Sequence, residues 1–236
     1  MPKYRIAELL IEITPHYDLL ARVCEKYRVE TDEAPDFSIE ITEKEIDELI
    51  ADQPEYTRRY AENFCACRYA CNEAARRGVV LFHAAAIAVD GKAYAFSAPS
   101  GTGKSTHILL WRRRFGKTVA MINGDKPFLR EKNGVFTVYG SPWCGKEGWN
   151  SNTSAPLAGI CFLSRAEENS IVPMSADEAL PRVFTQLMKP PTADGVAETM
   201  RLADGLIRSV PIYHLRCNMS EAAAECSFTA LTGKAL

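Results

Sequence analysis

The pattern of apolar and polar positions predicts a chain in which short strands alternate with amphipathic helices. Apolar or alternating runs indicate strands, and helical spacing of apolar residues indicates helices. Strands are predicted at residues 3–14, 19–23, 36–41, 79–89, 92–97, 118–123, 128–130, 135–139, 157–163, 171–174 and 211–217. Helices are predicted at residues 43–50, 54–77, 106–115, 176–188, 193–208 and 220–231. This mixture is typical of the α/β class.

A few residues mark where these elements begin, end or turn. Thr42 and Glu45 fit a capping box, in which each side chain accepts a hydrogen bond from the backbone of the other residue. The Asp90-Gly91 pair predicts a two-residue hairpin turn between strands 79–89 and 92–97. Residues 140–152 are rich in Gly, Trp, Ser and Asn, which predicts a functional loop.

Residues 98–106, which we call the glycine loop, carry the pattern of a phosphate-binding loop between a strand and a helix. Gly101 and Gly103 allow the backbone N–H groups to turn toward phosphate oxygens. Lys104 can reach the β and γ phosphates, and the Ser105 hydroxyl can bind Mg²⁺. The residues predicted to bind nucleotide here are Ser100, Gly101, Thr102, Gly103, Lys104, Ser105 and Thr106. The alternative is a glycine-rich turn with a chance Gly-Lys-Ser sequence.

Two further side chains are candidates for catalysis. Asp125 follows an apolar strand and is predicted to be a Mg²⁺ ligand or a general base, the alternative being an ordinary turn aspartate. His83 is predicted to lie in the strand paired with the one that enters the glycine loop. That position would bring its ring near the γ phosphate, although a packed core histidine is the other interpretation.

Two basic residues are candidates for phosphate or nucleotide contacts. Lys146 lies between glycines in the loop 140–152, so it could clamp a phosphate or the acceptor after loop closure, or it is a solvated surface lysine. Arg165 follows strand 157–163 and is predicted, from its position alone, to face the nucleotide.

Composition argues against several classes of partner. The 236 residues include 28 Lys and Arg and 30 Asp and Glu, so the formal charge of −2 provides no general field for nucleic acid. We find no apolar run of membrane-spanning length and no signal-peptide pattern at the start, and we therefore expect a soluble, cytoplasmic protein with no membrane partner.

The eight cysteines are expected to be reduced and mostly buried, because several lie within apolar runs. Cys67 and Cys71 are spaced to share one face of a helix, whereas Cys65 is not, and no nearby histidine completes a metal site. Packed core thiols are the favoured interpretation.

The order of these motifs resembles that of the HPr kinase/phosphorylase-like proteins, which share a nucleotide-binding core with phosphoenolpyruvate carboxykinases. The resemblance runs from about residue 79 to residue 163 and rests on His83, the Asp90-Gly91 turn, residues 96–106 and residues 123–127. It implies a mixed β-sheet P-loop core that uses ATP and Mg²⁺, with serine as the usual acceptor.

The resemblance also implies roles for individual residues. Lys104 and Ser105 would hold phosphates and metal, His83 would lie beside the transferring phosphoryl group, and Asp125 would be the acidic group. The family often has two adjacent aspartates at this point, whereas Asp125 here stands between Gly124 and Lys126. Relatives of this compact type resemble kinases found with peptide-modification systems.

We therefore expect an ATP- and Mg²⁺-dependent kinase that phosphorylates a serine-type hydroxyl of a peptide, a protein or a small molecule. The alternative is a nucleotide-binding regulatory protein without phosphoryl transfer; carboxykinase chemistry would require a longer chain. Residues 1–78 are predicted to form a small α+β N-terminal subdomain, and residues 79–236 the kinase core. The sequence leaves open whether the chain forms a homo-oligomer.

Overall fold

The computed structural model describes residues 1–235, which form two mixed β-sheets and seven α-helices. The strands are β1 (Lys3–Ile6), β2 (Leu9–Thr14), β3 (Arg28–Val29), β4 (Phe37–Glu40), β5 (Val79–Leu81), β6 (Ala85–Val89), β7 (Lys92–Ser97), β8 (Ala120–Asn123), β9 (Phe128–Lys132), β10 (Val135–Tyr139), β11 (Ser154–Arg165), β12 (Ser170–Pro173) and β13 (Ile212–Cys217). The helices are α1 (Asp18–Cys24), α2 (Glu43–Asp52), α3 (Arg58–Ala75), α4 (Lys104–Phe115), α5 (Ala176–Gln186), α6 (Ala193–Ser209) and α7 (Glu221–Thr232). The expected mixed α/β architecture is therefore present.

The smaller sheet has the strand order β3-β1-β2-β4, and α1, α2 and α3 belong to the same part of the chain. Its buried face includes Ile11, Ile13 and Ile39, which pack in one apolar cluster with small residues of α3. That cluster continues into Phe128 and Trp143 of the larger sheet and its loops. The two sheets thus share a core, while the proposed boundary at residue 78 stays a prediction.

The larger sheet has nine strands, in the order β5-β9-β10-β11-β7-β6-β8, with β13 paired to β11 and β12 paired to β13. The parallel partners are β7 with β11 and β11 with β13, and the other pairs are antiparallel. The long strand β11 is central, because it pairs with β10, β7 and β13.

The larger sheet must be curled, because two short connections link strands that are far apart in its order. In a flat sheet, β5 and β6 would lie about 24 Å apart, and so would β8 and β9. The chain from Leu81 to Ala85 reaches at most about 14 Å, and that from Asn123 to Phe128 at most about 18 Å. Both connections therefore cross a seam where the two ends of the sheet approach each other.

Backbone hydrogen bonds hold the β5–β6 connection against other segments at this seam. Phe82 N–H donates to the carbonyl of Pro127 at 3.0 Å, and Ala84 N–H donates to that of Asp125 at 3.1 Å. His83 N–H donates to the carbonyl of Gln186 at 2.9 Å. These bonds replace the ladder that a continuous strand would have made, because buried N–H groups need partners.

Consequently, the prediction of one strand over residues 79–89 is wrong. β5 ends at Leu81 and β6 begins at Ala85, so His83 lies in the connection between them rather than in a strand paired with β7. No turn residue marks this break, because the run is apolar apart from His83 and both short strands are buried.

Three other predictions near the start of the chain are corrected. Residues 19–23 belong to helix α1, whose buried Leu20 and Cys24 are four positions apart. Residues 3–14 form two strands joined by Ala7 and Glu8, which have positive φ angles of 50° and 64° despite being neither Gly nor Asn. Helix α3 begins at Arg58 rather than at residue 54.

The local signals at two other places are confirmed. Glu45 N–H donates to Thr42 Oγ1, and the Glu45 carboxylate accepts from Thr42 N–H at 2.8 Å, which completes the capping box of α2. Asp90 and Gly91 have φ angles of 50° and 74° in the two-residue turn between β6 and β7.

All eight cysteines are free in the part of the chain that the structure describes, and five of them are buried. Burial raises the pKa of Cys24 to about 12 and that of Cys71 well above its ordinary value. These thiols stay protonated and pack as small apolar groups. Across residues 1–235, no helix combines the length and apolarity needed to cross a bilayer.

Candidate functional site

The glycine loop connects the end of β7 to the start of α4. Gly101 and Gly103 have φ angles of 76° and 123°, which favour glycine, and no neighbouring atom lies within 4 Å of the point where either would carry a Cβ. The space beside the loop is therefore open. Gly103 is the N-cap of α4, whose first turn has no acidic residue, so the partial positive charge of the helix end is not neutralised there.

Lys104, the first residue of α4, turns its side chain back beneath the loop. Its Nζ donates to the carbonyl of Ala98 at 3.2 Å and lies 3.0 Å from Nε2 of His83. The residue is only 7% exposed, and burial lowers its pKa, while the negative charges of Asp125 and Glu147 act in the opposite direction. Lys104 is thus a partly desolvated cation close to two carboxylates.

His83 connects Lys104 to Asp125. Its Nε2 lies 3.2 Å from Oδ1 of Asp125 as well as 3.0 Å from Nζ of Lys104, and its Nδ1 donates to Oε1 of Gln186 at 2.8 Å. Ser97 Oγ donates to the His83 carbonyl at 2.8 Å. Because Nε2 offers either one lone pair or one hydrogen, it can pair with Lys104 or with Asp125, but not with both at once.

Asp125 is held by a turn that Asn123 organises. Oδ1 of Asn123 accepts hydrogen bonds from the backbone N–H groups of Asp125 at 2.9 Å and Lys126 at 2.7 Å. Nδ2 of Asn123 donates to the carbonyls of Ser141 at 3.2 Å and Trp143 at 3.1 Å. This buried amide therefore fixes Asp125 and also fastens the start of the loop 140–152.

The charge state of Asp125 follows from its surroundings. Burial by itself would raise its pKa, but the hydrogen bond with His83 and the positive charges of Lys126 and Lys104 outweigh burial, so the pKa lies below its ordinary value. Nζ of Lys126 is 3.6 Å from Oδ2 of Asp125. The carboxylate is consequently ionised at neutral pH and is able to accept a proton or bind a cation.

The loop 140–152 approaches Asp125 through Gly145. A Cβ on Gly145 would lie 3.4 Å from Cβ of Asp125 and 2.8 Å from Oε2 of Glu147, so both carboxylate side chains border this point. Lys146, in contrast, is exposed and makes no polar contact within the described residues. The structure therefore does not bring Lys146 into the His83–Lys104–Asp125 cluster.

The N-terminal part of the chain holds the far end of this loop. Lys26 Nζ donates to the carbonyl of Asn150 at 3.1 Å and to its Oδ1 at 2.9 Å. Tyr27 donates its hydroxyl to the carbonyl of Ser151 at 3.2 Å, and Asn152 Nδ2 donates to the carbonyl of Lys26 at 3.1 Å. The segment after α1 is thus fastened to the loop that borders Asp125.

The remaining candidates surround the glycine loop. Arg165 donates from Nη2 to the carbonyl of Gly101 at 2.6 Å and from Nε to that of Thr102 at 3.4 Å, so it braces the loop from the end of β11. Ser105 and Thr106 are half-buried in the first turn of α4, and Ser100 is exposed in the loop. Ser105 and Asp125 are the residues that could hold a metal ion here.

Sequence reasoning missed three residues of this site. Gln186 positions His83 from the end of α5, and Glu147 lies near Lys104, but both contacts join distant parts of the chain and left no local signal. Asn123 did carry a local sequence signal. An Asn at the end of a strand, before Gly-Asp, is typical of a side chain that accepts a hydrogen bond from the backbone two residues ahead.

Comparison with known proteins identifies the family of this chain. The family model described as "SynChlorMet cassette protein ScmC" matches residues 62–225, which include the whole cluster described above. The chain belongs to the ScmC family. The match covers α3 from residue 62 onward, the whole of the larger sheet and the glycine loop of this ScmC family member.

The other comparisons add less. No curated protein matches the chain. Among solved structures, the Hpr(Ser) kinase/phosphatase from Coxiella burnetii is similar over 65% of this ScmC family chain and 93% of its own, at 9% sequence identity and a TM-score of 0.36. This is a distant likeness to a kinase/phosphatase.

Proposed function

We propose that this ScmC family member is a kinase that transfers the γ phosphoryl group of a nucleoside triphosphate, with Mg²⁺, to a serine-type hydroxyl. The observation that carries the proposal is the meeting of Lys104, His83 and Asp125 beside the glycine loop. They come from three separated segments, and their groups are those that phosphoryl transfer to an alcohol requires: a cation for the phosphates, a hydrogen-bonding imidazole and an ionised carboxylate.

The residues present fit a magnesium nucleotide. The open space at Gly101 and Gly103 admits phosphate oxygens close to the backbone, and the end of α4 favours anions. Ser105 and Asp125 supply the hydroxyl and carboxylate oxygens that Mg²⁺ prefers. When bound, Mg²⁺ would neutralise charge on the β and γ phosphates.

Lys104 and His83 act together in this scheme. A phosphate in the loop offers Nζ of Lys104 a charged acceptor that is better than the neutral Nε2 of His83. Once Lys104 bonds the phosphate, Nε2 of His83 no longer accepts from it. With the single ring hydrogen moved from Nδ1 to Nε2 by exchange with solvent, and the Gln186 amide turned to donate to Nδ1, the ring can donate to Oδ1 of Asp125, 3.2 Å away. Nucleotide binding thereby sets the orientation of the carboxylate.

Asp125 would then orient the acceptor hydroxyl and take its proton as the oxygen–phosphorus bond forms. Its lowered pKa keeps it ionised but makes it a weak base, which suits a loose transition state in which the hydroxyl proton is transferred late. Glycine at position 145 lets this segment pass close to Asp125, because a Cβ there would lie 2.8 Å from Oε2 of Glu147 and 3.4 Å from Cβ of Asp125. Peptides, proteins and small molecules bearing a serine-type hydroxyl are the acceptors we propose.

A second candidate function is nucleotide binding for regulation, without transfer. It is favoured by the single carboxylate at the end of β8, where Asp125 stands between Gly124 and Lys126. Under this alternative, the same residues would bind the nucleotide, and Asp125 would hold the metal only, with no acceptor hydroxyl beside it.

The experiment is an assay of MgATP consumption with free serine and with pooled serine-containing peptides, with the products identified by mass spectrometry. We expect phosphoserine in at least one pool, and a loss of about a thousandfold in rate for Lys104→Ala. Lys117→Ala, an exposed lysine after α4, is the matched control and should retain the rate. Nucleotide binding that depends on Lys104, without phosphorylated product, would favour regulation; transfer that survives in Lys104→Ala would remove the glycine loop from the chemistry.

A further inference from the structure

The side chain of Lys126 connects the His83–Lys104–Asp125 cluster to helix α3. Its Nζ lies 3.6 Å from Oδ2 of Asp125. Burial by itself would lower the pKa of this lysine, but nearby Cys67, Asp125 and Tyr60 outweigh burial, so the pKa lies above its ordinary value. Cys67 and Tyr60 both belong to α3. One side of the space around Asp125 is therefore formed by Lys126 and the N-terminal half of α3.

Three aromatic side chains at the start of α3 form a patch that we call the aromatic strip: Tyr56, Tyr60 and Phe64. The ring centroids of Tyr56 and Tyr60 are 4.7 Å apart, and those of Tyr56 and Phe64 are 6.0 Å apart. Tyr60, Phe64 and Cys67 are spaced to share one face of the helix. Because Lys126 lies near both Tyr60 and Cys67, the strip borders the same space as Lys126.

The aromatic strip lies outside the interior of the protein. Within residues 1–235, its rings pack against one another and belong to none of the three apolar cores. Tyr60 is 41% exposed. Tyrosine is enriched at binding surfaces, because its rigid ring offers a large contact area at a small cost in conformational entropy. The strip is therefore a surface for a ligand that extends beyond Asp125.

Positive charge borders the aromatic strip. Within residues 1–235, Arg59 is exposed and forms no ion pair, whereas its neighbour Arg58 binds both Glu43 and Asp47. Lys126 has three donor hydrogens and a single carboxylate neighbour, so it can also bind a carboxylate of a ligand. The chemistry that complements this surface is thus an apolar side chain together with a negative charge.

We propose that the aromatic strip docks the acceptor as a peptide chain, which places an apolar side chain on the strip and a carboxylate beside Lys126 while its serine hydroxyl lies at Asp125. The inference rests on the proposed function and selects peptides and protein segments among its acceptors. A free serine at Asp125 would not reach α3. Because an extended chain advances about 3.3 Å per residue, and the Lys126 side chain separates Asp125 from the strip, the apolar residue should stand about two to four positions from the serine.

The test measures kcat and KM of the full chain with MgATP and matched serine peptides. Two series carry Phe three positions before or three positions after the serine, with Glu next to the serine. In one series, replacing Phe by Ala should raise the KM about tenfold, and replacing Glu by Gln should raise it about threefold. Equal KM values for the Phe and Ala peptides in both series would overturn the proposal, as would a kcat/KM for free serine as high as that for the peptides.

Two exposed tyrosines of α3 provide a matched pair of variants. Tyr60 and Tyr69 are both 41% exposed, but they are nine positions apart and therefore lie on opposite faces of the helix. Tyr60→Ala should raise the KM for the Phe peptide about tenfold and leave the KM for MgATP unchanged. Tyr69→Ala should change neither value. Equal effects of the two variants on the KM for the peptide would contradict docking on the strip.

Two further variants test the other parts of the surface. Phe64→Ala should act like Tyr60→Ala, and if it does not fold, as judged by circular dichroism, Tyr60→Ala decides. Lys126→Met should abolish the preference for the Glu peptide over the Gln peptide. That preference is a ratio measured within one variant, so a change in the overall rate does not affect it. A preference that survives in Lys126→Met would remove Lys126 from peptide binding.

The same assays distinguish failure of this inference from failure of the proposed function. If free serine is phosphorylated as efficiently as the Phe peptide, and Tyr60→Ala changes neither reaction, the kinase assignment stands and the docking assignment is wrong. If the chain binds MgATP but phosphorylates no acceptor, both proposals are wrong and nucleotide binding for regulation is favoured.

Discussion

Replacement of Asn123 by aspartate is the sharpest test of how the turn that carries Asp125 is held. The change keeps the size of the side chain and the oxygen that accepts from the N–H groups of Asp125 and Lys126. It replaces the Nδ2 donor by an oxygen that faces two carbonyls and the Ser141 hydroxyl, at 3.1 to 3.2 Å. Asn123 is completely buried, so water cannot compensate.

The size of the expected loss in stability follows from the buried negative charge of the new carboxylate, which would have lost the Nδ2 hydrogen-bond donor. At pH 7, Asn123→Asp should lower the free energy of unfolding by about 3–5 kcal/mol. Protonation restores a donor, so the pKa of the new carboxyl is raised in the folded state above its unfolded value of about 3.9. The destabilisation should therefore shrink by about 1.4 kcal/mol per pH unit as the pH falls from 6 to 5.

The assay is urea-induced unfolding followed by tryptophan fluorescence at pH 7, 6 and 5. Asn123→Ala is the control: it loses the same hydrogen bonds without adding a charge, so its destabilisation should be the same at all three values. If Asn123→Asp lost the same unfolding free energy at pH 7 and at pH 5, the hydrogen-bond arrangement around Asn123 would be contradicted. The same holds if this variant were as stable as the unaltered chain at pH 7.

Two further predictions concern the site itself. Arg165→Ala should weaken MgATP binding about tenfold in a calorimetric titration. Arg165→Lys should bind no better than Arg165→Ala, because one ammonium group cannot reproduce the paired donors to the carbonyls of Gly101 and Thr102. The control is Arg113→Ala, which removes an exposed arginine of α4. Because the pKa of Asp125 is lowered in the folded chain, its ionised form stabilises the fold above the unfolded pKa of about 3.9, and this contribution is lost as the pH falls through the folded pKa. The difference in unfolding free energy between the unaltered chain and Asp125→Asn should accordingly shrink below pH 4, whereas the exposed control Asp32→Asn should show no such change; a difference that grows on acidification would contradict the assigned contacts.

Local chemistry explains why part of this molecule could be predicted from its sequence. Adjacent residues determine the capping box at Thr42 and the turn at Asp90, and both have the expected geometry. A strand and a helix also flank the glycine loop, as adjacent residues indicated, although α4 begins at Lys104 rather than at residue 106. The elements that were misread depend on packing instead: α1 is a short apolar run whose helical state is decided by burial of Leu20 and Cys24.

The cluster itself shows the limit of sequence reasoning. His83 was expected near the loop through strand pairing, and it lies there, but through a break between β5 and β6 that depends on the curl of the whole sheet. Gln186 and Glu147 reach the cluster from α5 and from the loop 140–152, and neither position carries a periodic or motif signal. Contacts across such sequence distances are set by the closed fold, which the local pattern does not encode.

The seam of the larger sheet has a consequence for how the chain acquires activity during folding. His83 lies in one of the two connections that cross the seam, and Asp125 lies in the other. Their meeting therefore requires pairing between residues distant in sequence, the kind of contact that forms slowly. Helices and single hairpins can be complete while the two side chains are still apart. In a refolding experiment, recovery of function would report closure of the sheet, while the recovery of helical signal would report an earlier and separate event.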